Sequence, residues 1–114
     1  MEIPAEALSI LNQKAYLIVM GSNFGRILWY VFATTRGGPT RIAIMDLLIK
    51  RPYNMHQISK ELHLDYKTIQ HHIKMLEENK VITPEEKKYG TIYFPSGMFE
   101  EVKDIFNEIK NKVK

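Results

Sequence analysis

The sequence predicts a mainly α-helical chain that carries one small β-hairpin. Two observations lead to this prediction. Capping residues and apolar stripes at helical spacing mark three successive helices between residues 40 and 79. Two short β-prone runs then follow at residues 81–83 and 91–94, on either side of a charged loop. Three helices followed by a hairpin with a charged tip are the element order of a winged helix-turn-helix, here with extra N-terminal and C-terminal helices.

Composition and charge narrow the class of function. The 114 residues are 45% hydrophobic and 25% charged, which is typical of a globular domain. The formal net charge of +3 arises within residues 36–91, where ten basic residues outnumber seven acidic ones. This excess permits a polyanionic partner such as nucleic acid. The chain has no Cys, Gly-rich phosphate loop, nucleophile elbow or His-Glu metal motif, so we expect neither an enzyme nor a cofactor or metal site.

Residues 1–35 form an apolar N-terminal segment that we expect to serve in dimerisation or as an extension of the core. Pro4 opens a first predicted helix, which Gly21 closes. A second helix is predicted over residues 24–34, although its apolar run could equally form a strand. Glycines and Arg26 interrupt the segment too often for a membrane span, which needs about 20 apolar residues. No secretory signal precedes it, so a cytoplasmic protein is expected.

Residues 36–95 form the predicted winged helix-turn-helix domain, and residues 96–114 an amphipathic C-terminal helix. Each predicted element has its own start or stop signal. In order, these elements are a break at residues 36–39, a helix over 40–50 with Ile44, Leu47 and Leu48 inward, a helix over 55–62 capped by Asn54, a third helix over about 65–79 capped by Asp65, a strand over 81–83, a charged loop over 84–90, a return strand over 91–94 and a last helix over 98–113 capped by Ser96.

The turn between the second and third of these helices carries the residue pattern of a helix-turn-helix. Two short helices that cross at a tight turn need a small residue at the crossing and apolar residues at fixed offsets around it. The turn residue here is His63, where Gly is commonest, but His is one of the few other residues that adopt a positive φ. The residues that meet the remaining requirements are Ile58, Ser59, Leu62, Leu64 and Ile69.

The third helix separates its polar and apolar residues at 100° per residue. One side carries Ile69, Ile73 and Leu76. The other side carries donors and acceptors suited to base edges and phosphates, which predicts that this helix lies in the major groove of DNA. Any solvated surface helix also has a polar face, but the turn and the hairpin favour DNA. The predicted contacts are Lys67, Gln70, His71 and Lys74, with Tyr66 and Thr68 flanking them.

The tip of the predicted wing carries Lys87, Lys88 and Tyr89. Two lysines beside an amphipathic tyrosine suit contacts with the DNA backbone or the minor groove. A simply solvated hairpin tip is the alternative, and the neighbouring Glu85 and Glu86 favour it.

Residues 64–79, LDYKTIQHHIKMLEEN, resemble the recognition helix of ArsR-like winged-helix transcriptional regulators. The resemblance covers about residues 34–94 and is closest for archaeal members that carry the lead-in TRGGPTR, here residues 35–41. It implies binding to promoter or operator DNA as a homodimer, with the basal transcription machinery as a further candidate partner. Some methanogen regulators of this type activate archaellum operons, which makes that role one candidate. The resemblance implies DNA contacts at Tyr66, Lys67, Thr68, Gln70, His71 and His72. The sequence departs from the family at Lys80, where Gly usually ends this helix.

Two other functions compete with DNA binding. A metal sensor of this family would need Cys, or His and carboxylates on the terminal helix, whereas this helix has Asp104 and Glu108 but no His. A winged helix that binds proteins without sequence-specific DNA binding is the main alternative. The polar and mildly basic face of the third helix favours DNA over an apolar or acidic protein surface.

The last helix carries an apolar stripe at steps of three and four residues. Because a winged helix is complete by about residue 94, we expect the stripe to form a homodimer interface, which would place two third helices about one DNA turn, roughly 34 Å, apart. The alternative is that it folds back on its own domain, against the apolar residues 15–33. The stripe consists of Phe99, Val102, Ile105, Phe106, Ile109 and Val113.

Overall fold

The computed structural model describes residues 23–113 and confirms the predicted fold class, a mainly helical winged helix-turn-helix with a small antiparallel sheet and added terminal helices. The first helix predicted from Pro4 lies outside these residues. The helices are α1 (Asn23–Trp29) with a π-helical turn (Tyr30–Thr34), α2 (Gly38–Lys50), α3 (Met55–Leu62), α4 (Tyr66–Glu78), α5 (Gly97–Glu101) and α6 (Lys103–Val113), and the strands are β1 (Tyr53–Asn54), β2 (Ile82–Lys87) and β3 (Gly90–Pro95).

The segment before α2 is helical, as predicted for residues 24–34, so the strand considered for its apolar run at residues 28–32 is wrong. Leu28, Val31 and Phe32 are fully buried, whereas Tyr30 is 52% exposed. Buried residues at steps of three and four place one helical face on the core, while a strand would bury alternate residues. The described part of the N-terminal segment therefore extends the core.

The sheet has three strands in the order β1-β3-β2, all antiparallel. The short strand β1, which pairs Tyr53 with Tyr93, follows Pro52 so closely that the sequence does not reveal it. Strand β2 runs through Pro84 to Lys87, four residues beyond its predicted end. Pro84 is tolerated because β2 is an edge strand, where a missing N–H need not break the ladder.

The C-terminal region contains two helices and not the single one predicted. Ser96 caps α5 as predicted, accepting a hydrogen bond from the Phe99 N–H at 3.1 Å. The chain then bends at Val102, where φ is −120°. On either side of this bend, the Phe99 and Phe106 rings meet edge to face with their centroids 5.2 Å apart.

The apolar stripe of the last helix is buried within its own chain, which corrects the prediction that it forms a dimer interface. Phe99, Phe106 and Ile109 are fully buried and Ile105 is 3% exposed, while Val102 and Val113 pack against the core from its edge. The Phe106 ring contacts the Phe32 ring edge to face at 5.1 Å. The stripe therefore folds back on its own domain and packs against Phe32 of the apolar segment, which is the alternative that the sequence left open.

Candidate nucleic-acid interface

The helix-turn-helix has the geometry that its residue pattern predicts. Ile58 and Ile69 are fully buried where α3 and α4 cross. His63 ends α3 in the left-handed region, with φ 55° and ψ 42°. Across the turn, the Leu64 N–H donates to the Ser59 carbonyl at 3.2 Å, and the Ser59 hydroxyl donates to the Leu64 carbonyl. The small residue thus links the end of α3 to the start of α4.

Side-chain caps fix the start of both helices. Asn54 and Gln57 form a reciprocal capping box on α3, each accepting the other's backbone N–H at 2.8 Å. Asp65 caps α4 by accepting the Thr68 N–H at 3.1 Å and the Thr68 hydroxyl at 2.6 Å. The hydrogen bond from the Thr68 hydroxyl is the largest cause that lowers the pKa of Asp65, and hydrogen bonds from backbone N–H groups lower it further. The first turn of α4 is therefore held rigidly at the molecular surface.

The outward face of α4 carries most of the predicted contact residues. Ile69, Ile73 and Leu76 are buried on the inner side. Thr68 is half-buried with its hydroxyl engaged by Asp65. We use the name reading face for the exposed residues of this helix that the sequence predicted, namely Tyr66, Lys67, Gln70, His71 and Lys74.

His56 adds to this surface, although the sequence pattern did not single it out. Its ring lies 4.6 Å from the Tyr66 ring with an interplanar angle of 31°. The exposed position of His56 in the first turn of α3 is the signal that could have identified it, because this helix crosses the DNA backbone in helix-turn-helix complexes. The pair joins the N-terminal ends of α3 and α4 into one polar and aromatic surface.

His72 does not belong to the reading face, and the prediction that it contacts DNA is corrected by its burial. The side chain is 8% exposed, and its Nδ1 accepts a hydrogen bond of 2.9 Å from Nη1 of Arg41, itself 2% exposed. Burial, the charge of Arg41 and the neighbouring His71 lower the pKa of His72, in that order of size. A neutral ring with its proton on Nε2 satisfies this contact, since arginine can only donate.

The pair predicts how stability depends on pH. His72 has an ordinary pKa of 6.5 when unfolded and a lower one when folded, so the unfolded state binds the proton first as the pH falls. The stability that neutral His72 contributes is complete above about pH 7. As the pH falls below about 6.5 it is lost, and the free energy of unfolding then changes by at most about 1.4 kcal/mol per pH unit. Urea unfolding of the parent and of His72→Gln between pH 5 and 8 should show this slope in the parent alone. Equal slopes would contradict it, and His56→Gln is the exposed-histidine control.

At the tip of the wing, the Tyr89 ring is highly exposed, whereas the charge of Lys87 is paired. Tyr89 is 88% exposed in the turn between β2 and β3, and Lys88 lies 5.6 Å from its ring centroid. Lys87 instead forms an ion pair with Glu85 at 2.7 Å, which offsets its charge. An exposed pair of this kind is worth little, so Lys87 can exchange Glu85 for another anion.

A cleft connects the wing to the reading face. It measures about 270 Å³, and its lining includes His56, Tyr66, Tyr89 and Tyr93. Tyr93 is 5% exposed, and its burial, more than nearby charges, raises its pKa. The wing, α3 and α4 thus line one continuous polar and aromatic surface.

The described residues bear on the metal site and on the membrane span that the sequence analysis considered. Within residues 23–113, no three His, Asp or Glu side chains come together as metal ligands. The rings of His71 and His72 are 5.4 Å apart at 63°, on different sides of α4. Over the same residues, no helix is long and apolar enough to cross a bilayer.

Comparisons with known proteins agree with this architecture. Residues 38–83 match the family model described as bacterial regulatory protein, arsR family, and no curated protein matches the sequence significantly. HlyU from Vibrio cholerae N16961 is similar in structure, with a TM-score of 0.60 and 15% identity over 76% of this chain and 85% of that one. A MarR family protein from Bacillus stearothermophilus has a TM-score of 0.57 and 10% identity over 97% of this chain and 79% of its own.

A third similar structure is the homodimeric winged helix-turn-helix DNA-binding domain Mb0332 from Mycobacterium bovis, a possible ArsR-family transcriptional regulator. Its TM-score is 0.61, with 17% identity over 86% of this chain and 82% of that domain. At such low identities these likenesses concern the fold. The chain therefore has a winged helix-turn-helix fold, and its helical core, residues 38–83, matches the arsR family model.

Proposed function

We propose that the protein is a transcriptional regulator that binds double-stranded DNA sequence-specifically, with α4 in the major groove and the wing tip on the backbone or in the minor groove. The observation that carries the proposal is the reading face. Over the first three turns of α4 this face exposes amide, imidazole, ammonium and phenol groups, and the exposed carboxylate of Glu78 comes only in the last turn. Recognition helices contact bases mainly through their N-terminal residues.

Each residue of the reading face has a chemistry that suits one kind of contact. The Gln70 amide can pair with both the N6 and N7 groups of adenine. Lys67 and Lys74 can neutralise phosphates or donate to guanine. His71 and Tyr66 offer hydrogen-bonding groups at the groove edges. At the wing tip, Lys88 and Tyr89 suit the backbone and the minor groove.

The match of residues 38–83 to the arsR family model and the likeness to transcriptional regulators support this function. We further propose that the protein acts as a homodimer, since the structurally similar Mb0332 domain is homodimeric. Two copies would place their α4 helices about 34 Å apart on one face of the duplex. The interface would use the outer side of the layer formed by α1, the π-helical turn and α6, where Tyr30 is half exposed, because the inner side is buried.

We also propose that the regulator acts in the cytoplasm and that residues 36–95 form its DNA-binding unit. The lead-in at residues 35–41 favours an archaeal regulator, for which an archaellum operon is a candidate target and the basal transcription machinery a candidate partner. A winged helix that binds only proteins is the competing function, and a reading face without an apolar patch favours DNA over it.

Two substitutions in the reading face separate base reading from backbone contact. Gln70→Ala should lower discrimination between sequences by about 1–3 kcal/mol at one base position, because the paired amide contact is lost. Lys67→Ala should weaken binding to all duplexes and reduce the slope of log affinity against log salt by about one. Fluorescence anisotropy over a range of salt concentrations measures both effects.

Lys103→Ala is the matched control, since Lys103 belongs to α6 and pairs with Glu100 at 3.5 Å. Its salt slope should equal that of the parent. If the Gln70 and Lys67 variants also bound every duplex like the parent, α4 would not be the reading element.

A further inference from the structure

The lead-in residues 35–41 contain a buried charge without a counter-ion. Arg41 is 2% exposed and donates from Nε to the Val31 carbonyl at 2.8 Å, from Nη1 to His72 and from Nη2 to the Thr35 hydroxyl. These three acceptors are neutral, and no carboxylate among residues 23–113 forms an ion pair with Arg41. Buried guanidinium groups are ordinarily paired with an anion, because an unpaired charge is costly to remove from water.

A pocket of about 490 Å³ lies beside this charge, between the start of α2 and the middle of α4. Arg36, Thr40, Arg41, His71 and His72 contribute to its wall, and none of its lining residues is acidic. Arg36 and His71 are exposed and Thr40 is half-buried, so all three can be reached from solvent. The pocket thus combines a buried cation with hydroxyl, imidazole and guanidinium donors at its rim.

The glycine of the lead-in keeps this arrangement tight. A Cβ atom on Gly37 would lie 2.5 Å from Nη1 of Arg41 and 2.7 Å from Cε1 of His72. A side chain at position 37 would therefore have to displace the Arg41 guanidinium or the His72 ring from its place against the loop. The guanidinium is therefore held in one place, with two of its five N–H groups not engaged by the three acceptors.

We propose that this pocket binds a phosphate group. Arg36 and His71 contact the phosphate oxygens from the rim, Thr40 donates its hydroxyl, and Arg41 supplies the compensating charge from the wall. Arginine suits this role because its planar set of donors matches phosphate oxygens.

This inference rests in part on the proposed function. His71 belongs both to the reading face and to the pocket, so a phosphate of the DNA backbone at the edge of the groove is the favoured source. Such a contact would fix the register of α4 on the duplex without reading a base. A small phosphorylated compound has the same chemistry and is the other source.

Arg36→Gln tests the site, because Arg36 is exposed and its loss leaves the buried Arg41 cluster intact. Inorganic phosphate is titrated into the full chain and followed by NMR chemical shifts of residues 35–41 and 71–72. Saturable shifts are expected in the parent, with affinity about tenfold or more weaker in the variant. A second titration uses nonspecific duplex DNA over a range of salt, where Arg36→Gln should reduce the salt slope by about one. Arg51→Gln, which replaces an exposed arginine just after α2 that does not line the pocket, is the matched control for both.

The two titrations distinguish the sources. A smaller salt slope in Arg36→Gln but not in Arg51→Gln assigns the pocket to a DNA phosphate. Weaker phosphate binding with an unchanged salt slope assigns it to a small phosphorylated compound. Phosphate binding by a parent that binds no DNA would leave this site standing and overturn the proposed function. Absence of phosphate binding together with equal salt slopes for the two arginine variants would overturn the site.

Discussion

Replacement of Phe106 by alanine is expected to destabilise the protein by about 3–5 kcal/mol. The ring is fully buried and makes edge-to-face contacts with Phe32 and Phe99, at 5.1 and 5.2 Å. Its removal leaves a cavity where α6 meets the segment before α2, and both contacts are lost. Because a domain of this size is stable by only about 5–15 kcal/mol, much of the folded population should be lost on mild heating. Urea unfolding monitored by circular dichroism measures the change.

Asn107→Ala is the control for Phe106→Ala, since Asn107 is the exposed neighbour on α6, and it should change stability by less than about 0.5 kcal/mol. The prediction also decides between the two roles considered for the apolar stripe. If Phe106 served a dimer interface, Phe106→Ala would give a folded monomer of nearly parental stability. Sedimentation of the variant alongside the unfolding curve would reveal that result.

Gly38→Ala is expected to destabilise the protein by about 1–3 kcal/mol or more, the range for an overpacked interior. A Cβ atom at this position would lie 2.3 Å from the Phe32 carbonyl oxygen, which is backbone and cannot rotate away. The π-helical turn and the start of α2 would have to move apart. For a chain of this length the melting temperature should fall by at least about 4 °C.

Gly97→Ala provides a matched control, because Gly97 also begins a helix but an added Cβ would meet nothing within 4 Å. It should leave stability unchanged or raise it by up to about 1 kcal/mol. Equal melting temperatures for the two variants would contradict the close packing of Gly38 against Phe32.

Local signals in the sequence were sufficient to predict the helices and the turn of the helix-turn-helix. Helix α3 begins and ends where its capping residue and apolar pattern predict, and Asn54, Asp65 and Ser96 cap the helices assigned to them. The positive φ of His63 was also predictable, because the turn permits few other conformations. Lys80, where the resemblance implies Gly, adopts a φ of 63°, in the left-handed region that Gly favours.

The errors arose where a side chain's environment depends on distant parts of the chain. His72 was assigned to DNA through the resemblance alone. At 100° per residue it lies about 40° from Leu76 on the inner side of α4, where Arg41 of the distant helix α2 contacts it. An apolar stripe on α6 is equally compatible with a partner chain and with its own domain, and only the position of Phe32 decides between them. Periodicity identifies a buried face without identifying the surface that buries it. The pocket beside Arg41 could not be predicted for the same reason, because residues 35–41 and 71–72 meet only in the folded chain.

Selection of bound duplexes from a pool of random sequences is the most direct test of the claim that α4 reads DNA. The proposed function predicts that the parent enriches a near-palindromic site whose half-sites are centred about 10 base pairs apart. It predicts that Gln70→Ala enriches the same site with the preference at one position of each half-site relaxed. A folded parent that returns the pool without any enriched sequence would contradict the claim.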